Sequence, residues 1–133
     1  MTFTRETIEA PAAPAAIGPY SHAVRAGSLL FCSGQIPLDP ATGEIVGETP
    51  AEQARQCLLN LTAVCDATGA SLADAVRLTV YMTDLSAFAA VGEVYATFFS
   101  ENPPARVAVG VVALPRGAQV EIDAIISLAA APA

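Results

Sequence analysis

What this chain has least of is positive charge. Lys and Arg together number 6 among 133 residues, against 13 Asp and Glu, for a net charge of −7. They form no basic cluster, and a nucleic-acid footprint needs one, so RNA and DNA are not expected partners. Histidine is nearly absent too: the single His22 excludes a multi-histidine metal site and reads as a strand residue rather than a general base. The three cysteines, Cys32, Cys57 and Cys65, are odd in number and show no CxxC spacing. Cys57 and Cys65 fall on the inner side of an expected helix, as small core hydrophobes. None stands in a motif with a base, so all three are expected to be free and non-catalytic. No apolar run reaches transmembrane length, and none reads as a signal or transit peptide. A cytoplasmic, reducing setting and no membrane partner are expected.

What the chain has in quantity is hydrophobic side chains, 53% of residues against 14% charged. That fits one domain, 1–133, with a sizeable core and excludes disorder. So much apolar surface in a small domain also predicts self-association.

Taken in order, Thr2 to Ile8 reads as a short edge strand, and Ala10–Ala16 as an ordered Pro/Ala loop. Ser21–Arg25 and Ser28–Ser33 form a hairpin about Ala26-Gly27, and Gly34 marks a bulge or a close backbone approach. Thr49-Pro50-Ala51-Glu52 is a helix start: a capping threonine, proline in the first turn and a glutamate completing the capping box. Ala54, Leu58, Leu61, Val64 and Cys65 carry the helical stripe, with Arg55, Gln56, Asn60 and Asp66 on the solvated side. Ala75–Thr83 alternates as a strand. Ser86–Ser100 is a second helix ended by Pro103-Pro104. Arg106–Val112 is continuously apolar, which predicts a strand buried on both faces. Gln119–Ser127 alternates again, and the tail from Leu128 is expected to fray. Tyr81 and Ile125 interrupt otherwise polar strand faces, which suggests that another subunit covers that side of the sheet. The order β, ββ, α, β, α, β, β gives an α+β sandwich, two helices on one face of a mixed sheet.

Arg106 is the most informative single residue. A guanidinium stays charged, and this one enters an apolar strand directly after Pro104-Ala105. It needs an anionic partner, either a protein carboxylate in a structural ion pair or the carboxylate of a ligand. Composition alone favours the ion pair.

Several strings stand together in one order: Ile17-Gly18-Pro19-Tyr20-Ser21, Ser33-Gly34-Gln35-Ile36-Pro37-Leu38-Asp39-Pro40, Thr79-Val80-Tyr81, Pro104-Ala105-Arg106, Leu114-Pro115 and Val120-Glu121-Ile122. From about Ala15 to Ile126 this order resembles the RidA (YjgF-type) family of reactive-intermediate deaminases. The resemblance implies a chorismate-mutase-like fold and a homotrimer with active sites in the clefts between subunits. The implied reaction is hydrolysis of 2-imino or 2-enamino acids to 2-keto acids and ammonia, with no metal and no cofactor. Carried over residue by residue, it makes Arg106 the holder of the substrate carboxylate and Glu121 the group that activates water. Tyr20, Ser33 and Gly34 become pocket residues, Phe88 an apolar wall, and Ala108 a backbone contact where some members have cysteine. Gly92 stands where many members carry asparagine. The alternative on the same fold is a non-catalytic metabolite-sensing or protein-binding module.

Overall fold

Hydrophobic period decides the elements. The computed structural model of the chain describes residues 4–128. It has strands β1 (Arg5–Ile8), β2 (Ala23–Ala26) and β3 (Leu29–Gln35), helix α1 (Pro50–Asp66), strand β4 (Ala75–Met82), helix α2 (Phe88–Phe98), and strands β5 (Ala105–Gly110) and β6 (Val120–Ser127). The strands form one sheet in the order β1-β2-β3-β6-β4-β5. Only β4 and β5 run parallel; the other neighbours are antiparallel. Leu30, Leu78, Val80, Met82, Val120, Ile122 and Ile126 turn one face of this sheet toward Leu58, Leu61 and Val64 of α1 and Val91 and Tyr95 of α2. The expected mixed sheet with two helices is observed.

α1 starts where its sequence says. The Thr49 hydroxyl accepts from the Glu52 N–H at 3.2 Å, and the Glu52 carboxylate reaches back to the Glu48 N–H at 2.9 Å. Its stripe is buried as expected, but one residue on the supposed solvent side is not solvated. Asn60 is 1% exposed because its amide donates to the carbonyls of Ile36 (3.2 Å) and Leu38 (3.0 Å), just beyond the end of β3. Gln53 is buried for the same reason, donating to Gly47 O at 3.1 Å and accepting from the Gln119 N–H at 2.8 Å. Buried amides are tolerated when paired in this way, and these two pin the loops around the site.

β5 corrects the sequence reading more sharply. It is not buried on both faces. Among the described residues it is the edge of the sheet, hydrogen-bonded to β4 alone, with Val107 41% and Val109 37% exposed. A continuously apolar run marks burial by something, and among the described residues of one chain nothing covers this strand's outer face.

Other differences are small. The second helix begins as a single 3-10 turn at Leu85–Ala87 before α2 proper. Gly92 sits in the middle of α2, where glycine costs roughly 0.5–1 kcal/mol relative to alanine. His22 lies just before β2 rather than in a strand. The Ala10 N–H donates to its Nδ1 at 2.8 Å, so Nε2 carries the proton and donates to Pro14 O, also at 2.8 Å. The buried ring thereby staples the Pro/Ala loop. The Leu128 N–H donates to Ser28 O at 2.9 Å; the rest of the expected fraying tail lies outside the described residues, as do Thr2 and Phe3.

Candidate active site

Alternation along β6 fixes Glu121. Val120 and Ile122 are both fully buried under the helices, so Glu121 between them points to the other side of the sheet, opposite Tyr81 of β4. There it lines a cleft of about 470 Å³ together with Pro14, Tyr20, Ser33, Gly34 and Arg116. Gly34 lies in the stretch where β3 shifts register against β6. A methyl group on Gly34 would overlap the Glu121 carboxylate, so glycine is what lets the carboxylate lie against the β3 backbone. Ser33 donates its hydroxyl to Ser21 O at 2.6 Å, which leaves that oxygen's lone pairs free. The Tyr20 oxygen accepts from the Ile17 N–H at 3.3 Å, leaving its own proton free to donate.

The charge of Glu121 is held at a cost. Burial first, and the negative charge of Asp123 second, push its pKa above the usual carboxylate range, since both disfavour the anion. Asp123 in turn accepts from the Tyr81 hydroxyl at 2.9 Å, and this bond is the main cause of the raised Tyr81 pKa. The sequence reading missed Arg116 in this cleft. It adopts the left-handed region, φ 61°, and donates to Gly43 O at 3.2 Å. The signal was an arginine directly after Leu114-Pro115 in a chain so poor in cations.

Arg106 lies elsewhere. In β5 it stands opposite Leu78, a core residue, so it points to the helix side. Its guanidinium carbon lies 4.9 Å from the centre of the Phe88 ring and 5.5 Å from that of Tyr95. Phe88, expected as an apolar wall, is thus a shelf for the cation. Ala108, two residues on, lines the same small recess with Val91 and Gly92. The Tyr95 hydroxyl is buried there without a hydrogen-bond partner among the described residues. Burial raises its pKa, while the Arg106 charge pulls it the other way.

The residues singled out from sequence therefore form two groups. Tyr20, Ser33, Gly34 and Glu121 share the cleft; Arg106, Phe88 and Ala108 share the recess. The two groups are on opposite faces of one sheet with β4 between their strands, which excludes an Arg106–Glu121 ion pair within a chain. Cys32, Cys57 and Cys65 are free and buried and line neither. Burial pushes the Cys57 thiol well up. Among the described residues no three His, Cys, Asp or Glu side chains gather as metal ligands, and no helix is long and apolar enough to cross a membrane.

The sequence pattern of the endoribonuclease L-PSP family, the RidA/YjgF/RutC group, matches residues 10–128. The chain belongs to that family. Among relatives, it is 53% identical to the RutC family protein y4sK of Sinorhizobium fredii over 92% of this chain and 98% of that one. It is 45% identical to the 2-iminobutanoate/2-iminopropanoate deaminase of Mus musculus over 93% and 92%. Among solved structures it superposes on E. coli TdcF with bound serine at a TM-score of 0.87, with 42% identity over 93% of this chain and 99% of that one. RidA-family relatives thus include proteins named as deaminases, and a structural neighbour holds a small amino acid.

Proposed function

We propose that the chain hydrolyses 2-imino acids, and the enamines that tautomerise to them, to 2-keto acids and ammonia, at a site built between copies of itself in a homotrimer. The observation that carries the reading is the division just described: an arginine stacked for a carboxylate on one face, and a carboxylate poised as a base on the other. Neither half hydrolyses anything alone. The outer apolar side chains of β5 and the unpaired backbone of that edge offer the surface along which a second copy can bring the halves together.

The roles follow from chemistry. Arg106 takes the substrate carboxylate through two parallel charge-assisted hydrogen bonds, its plane held by the Phe88 and Tyr95 rings. Glu121 accepts a proton from water as the oxygen attacks the imine carbon and the C=N electron pair moves onto nitrogen. The proton passes to nitrogen and completes the carbinolamine; Glu121 then takes the hydroxyl proton and hands it to nitrogen as the C–N bond breaks, ammonia leaves with that electron pair, and the O–H electron pair closes the carbonyl. Imine plus water thus becomes keto acid plus ammonia, and Glu121 returns to its starting form. An imine is already electrophilic, so a positioned base worth ~10²–10⁴-fold and the orientation given by Arg106 suffice. A raised Glu121 pKa suits this work, because a base closer to neutrality takes a proton more readily.

The test is ammonia release from 2-iminobutanoate generated in place, with light scattering for mass. Release above the spontaneous rate by a particle of three chains is expected. A folded trimer that adds nothing to the spontaneous rate would leave the metabolite-sensing alternative. The net charge of −7 gives RNA cleavage, the activity in the family's description, no electrostatic support.

A further inference from the structure

On the deaminase reading, the group that distinguishes one 2-imino acid from another is the substituent on the imine carbon. That carbon is bonded directly to the carboxylate. With the carboxylate on Arg106 and water arriving from Glu121, the substituent has to lie against what surrounds the guanidinium, the inner face of α2. Phe88, Val91, Gly92 and Tyr95 form that face at helical spacing, and all border the recess. Three of them project large side chains. Gly92 alone projects none, and a Cβ built on it meets nothing within 4 Å. The glycine is not there for a turn, since it lies in the interior of α2, where it weakens the helix. Nor is it there for a close backbone approach, since no atom of another described element comes within 4 Å of where its Cβ would stand. What it leaves is space, beside a partly open recess of about 10 Å³, enough for a single water- or methyl-sized group. The surrounding Val80, Met82 and Ala108 are apolar.

We propose that Gly92 opens a side-chain subsite beside Arg106, fitted to 2-imino acids with apolar substituents of three or more carbons: the chain passes over Gly92 and its end enters the pocket. The inference rests on the proposed deaminase activity but names what that site selects.

The experiment compares wild type, Gly92→Ala and Gly92→Leu on two imines made in place by an L-amino acid oxidase, one from 2-aminobutanoate and one from norleucine. The readout is the ratio of kcat/KM for the long substrate over the short one, with circular dichroism and mass in parallel. In Gly92→Leu the ratio should fall at least ~10-fold, the scale on which a hydrophobic pocket reads added methylenes, and in Gly92→Ala by less. A ratio that stays within about twofold in a folded Gly92→Leu, or an equal loss on both substrates, overturns the subsite. If Gly92→Leu does not fold, the ratio in Gly92→Ala decides by the same direction. If wild type releases no ammonia from either imine, the deaminase reading has failed separately. Calorimetric binding of 2-oxobutanoate and 2-oxohexanoate then reads the subsite directly: a long-chain preference weakened in the Gly92 variants upholds it, and equal affinities in wild type refute it.

Discussion

The Arg106 recess and the Glu121 cleft hold opposite charges by opposite means. The cation lies on two aromatic rings, its position set by strand register and by one face of a helix. The anion lies against a glycine backbone in a cleft walled by loops, and those loops are fixed by side-chain hydrogen bonds of His22, Ser33 and Asn60. Ring faces favour a cation, so the recess keeps Arg106 ready to bind. Burial and Asp123 disfavour the Glu121 anion, so the cleft keeps it ready to take a proton. A group made comfortable suits binding; a group made uncomfortable suits chemistry.

That contrast can be broken most forcefully at the base. Glu121→Gln keeps shape and loses the proton acceptor, so kcat should fall ~10²–10⁴-fold with little change in KM. Arg106→Lys keeps charge and loses the second parallel bond. At roughly 1.5–3 kcal/mol per charged hydrogen bond, kcat/KM should fall on the order of 10–100-fold, chiefly through KM, with circular dichroism and mass unchanged. Arg106→Ala should fall at least as far. If both glutamine and lysine variants move the same kinetic constant, the division of roles is wrong. Mixing chains of Arg106→Ala and Glu121→Gln in equal amounts after dissociation sharpens the point. If each site takes Arg106 from one copy and Glu121 from its neighbour, about a quarter of sites are whole again; if each chain had its own complete site, no activity would return.

Gly34→Ala comes next. Its methyl displaces the Glu121 carboxylate, and a misplacement near 1 Å costs up to ~10²-fold in rate. The acid side of the pH profile gives a smaller effect. Glu121 must be ionised to act, so kcat/KM should rise with pH through a value above the ordinary carboxylate range. Asp123→Asn, by removing a like charge, should move that limb to lower pH. Smallest is a change in stability. Because the folded-state pKa of Glu121 is raised, its stabilising contribution is full below the unfolded-state value and is lost as pH rises through the folded one. Glu121→Gln should therefore raise Tm at neutral pH by about 1–3 °C, and the gain should vanish in acid. A lower Tm at neutral pH would mean that the carboxylate is structurally favoured.

The fold was largely legible because its signals are local. The capping box at Thr49 and Glu52, the alternation of Val120 to Ile126 and the stripe of α1 each depend on neighbours in sequence. What was not legible depends on partners far along the chain. No periodicity says that Asn60 will meet the carbonyls of Ile36 and Leu38, or that β5 will end at the edge of the sheet beside β4. The candidate site was readable as a set of residues and unreadable as an arrangement. Arg106 and Glu121 both looked like pocket residues, and which face each takes follows only from the register that sets them against Leu78 and Tyr81. Arg116 escaped because a loop arginine has no period to betray it.

The placement of those two residues on opposite faces has a consequence for dose. No hinge or loop movement in a single chain carries a side chain through a hydrogen-bonded sheet, so on the proposed reading each molecule is only part of a catalyst. Turnover per chain then has its own dissociation constant, that of the assembly, and falls when the protein is diluted below it.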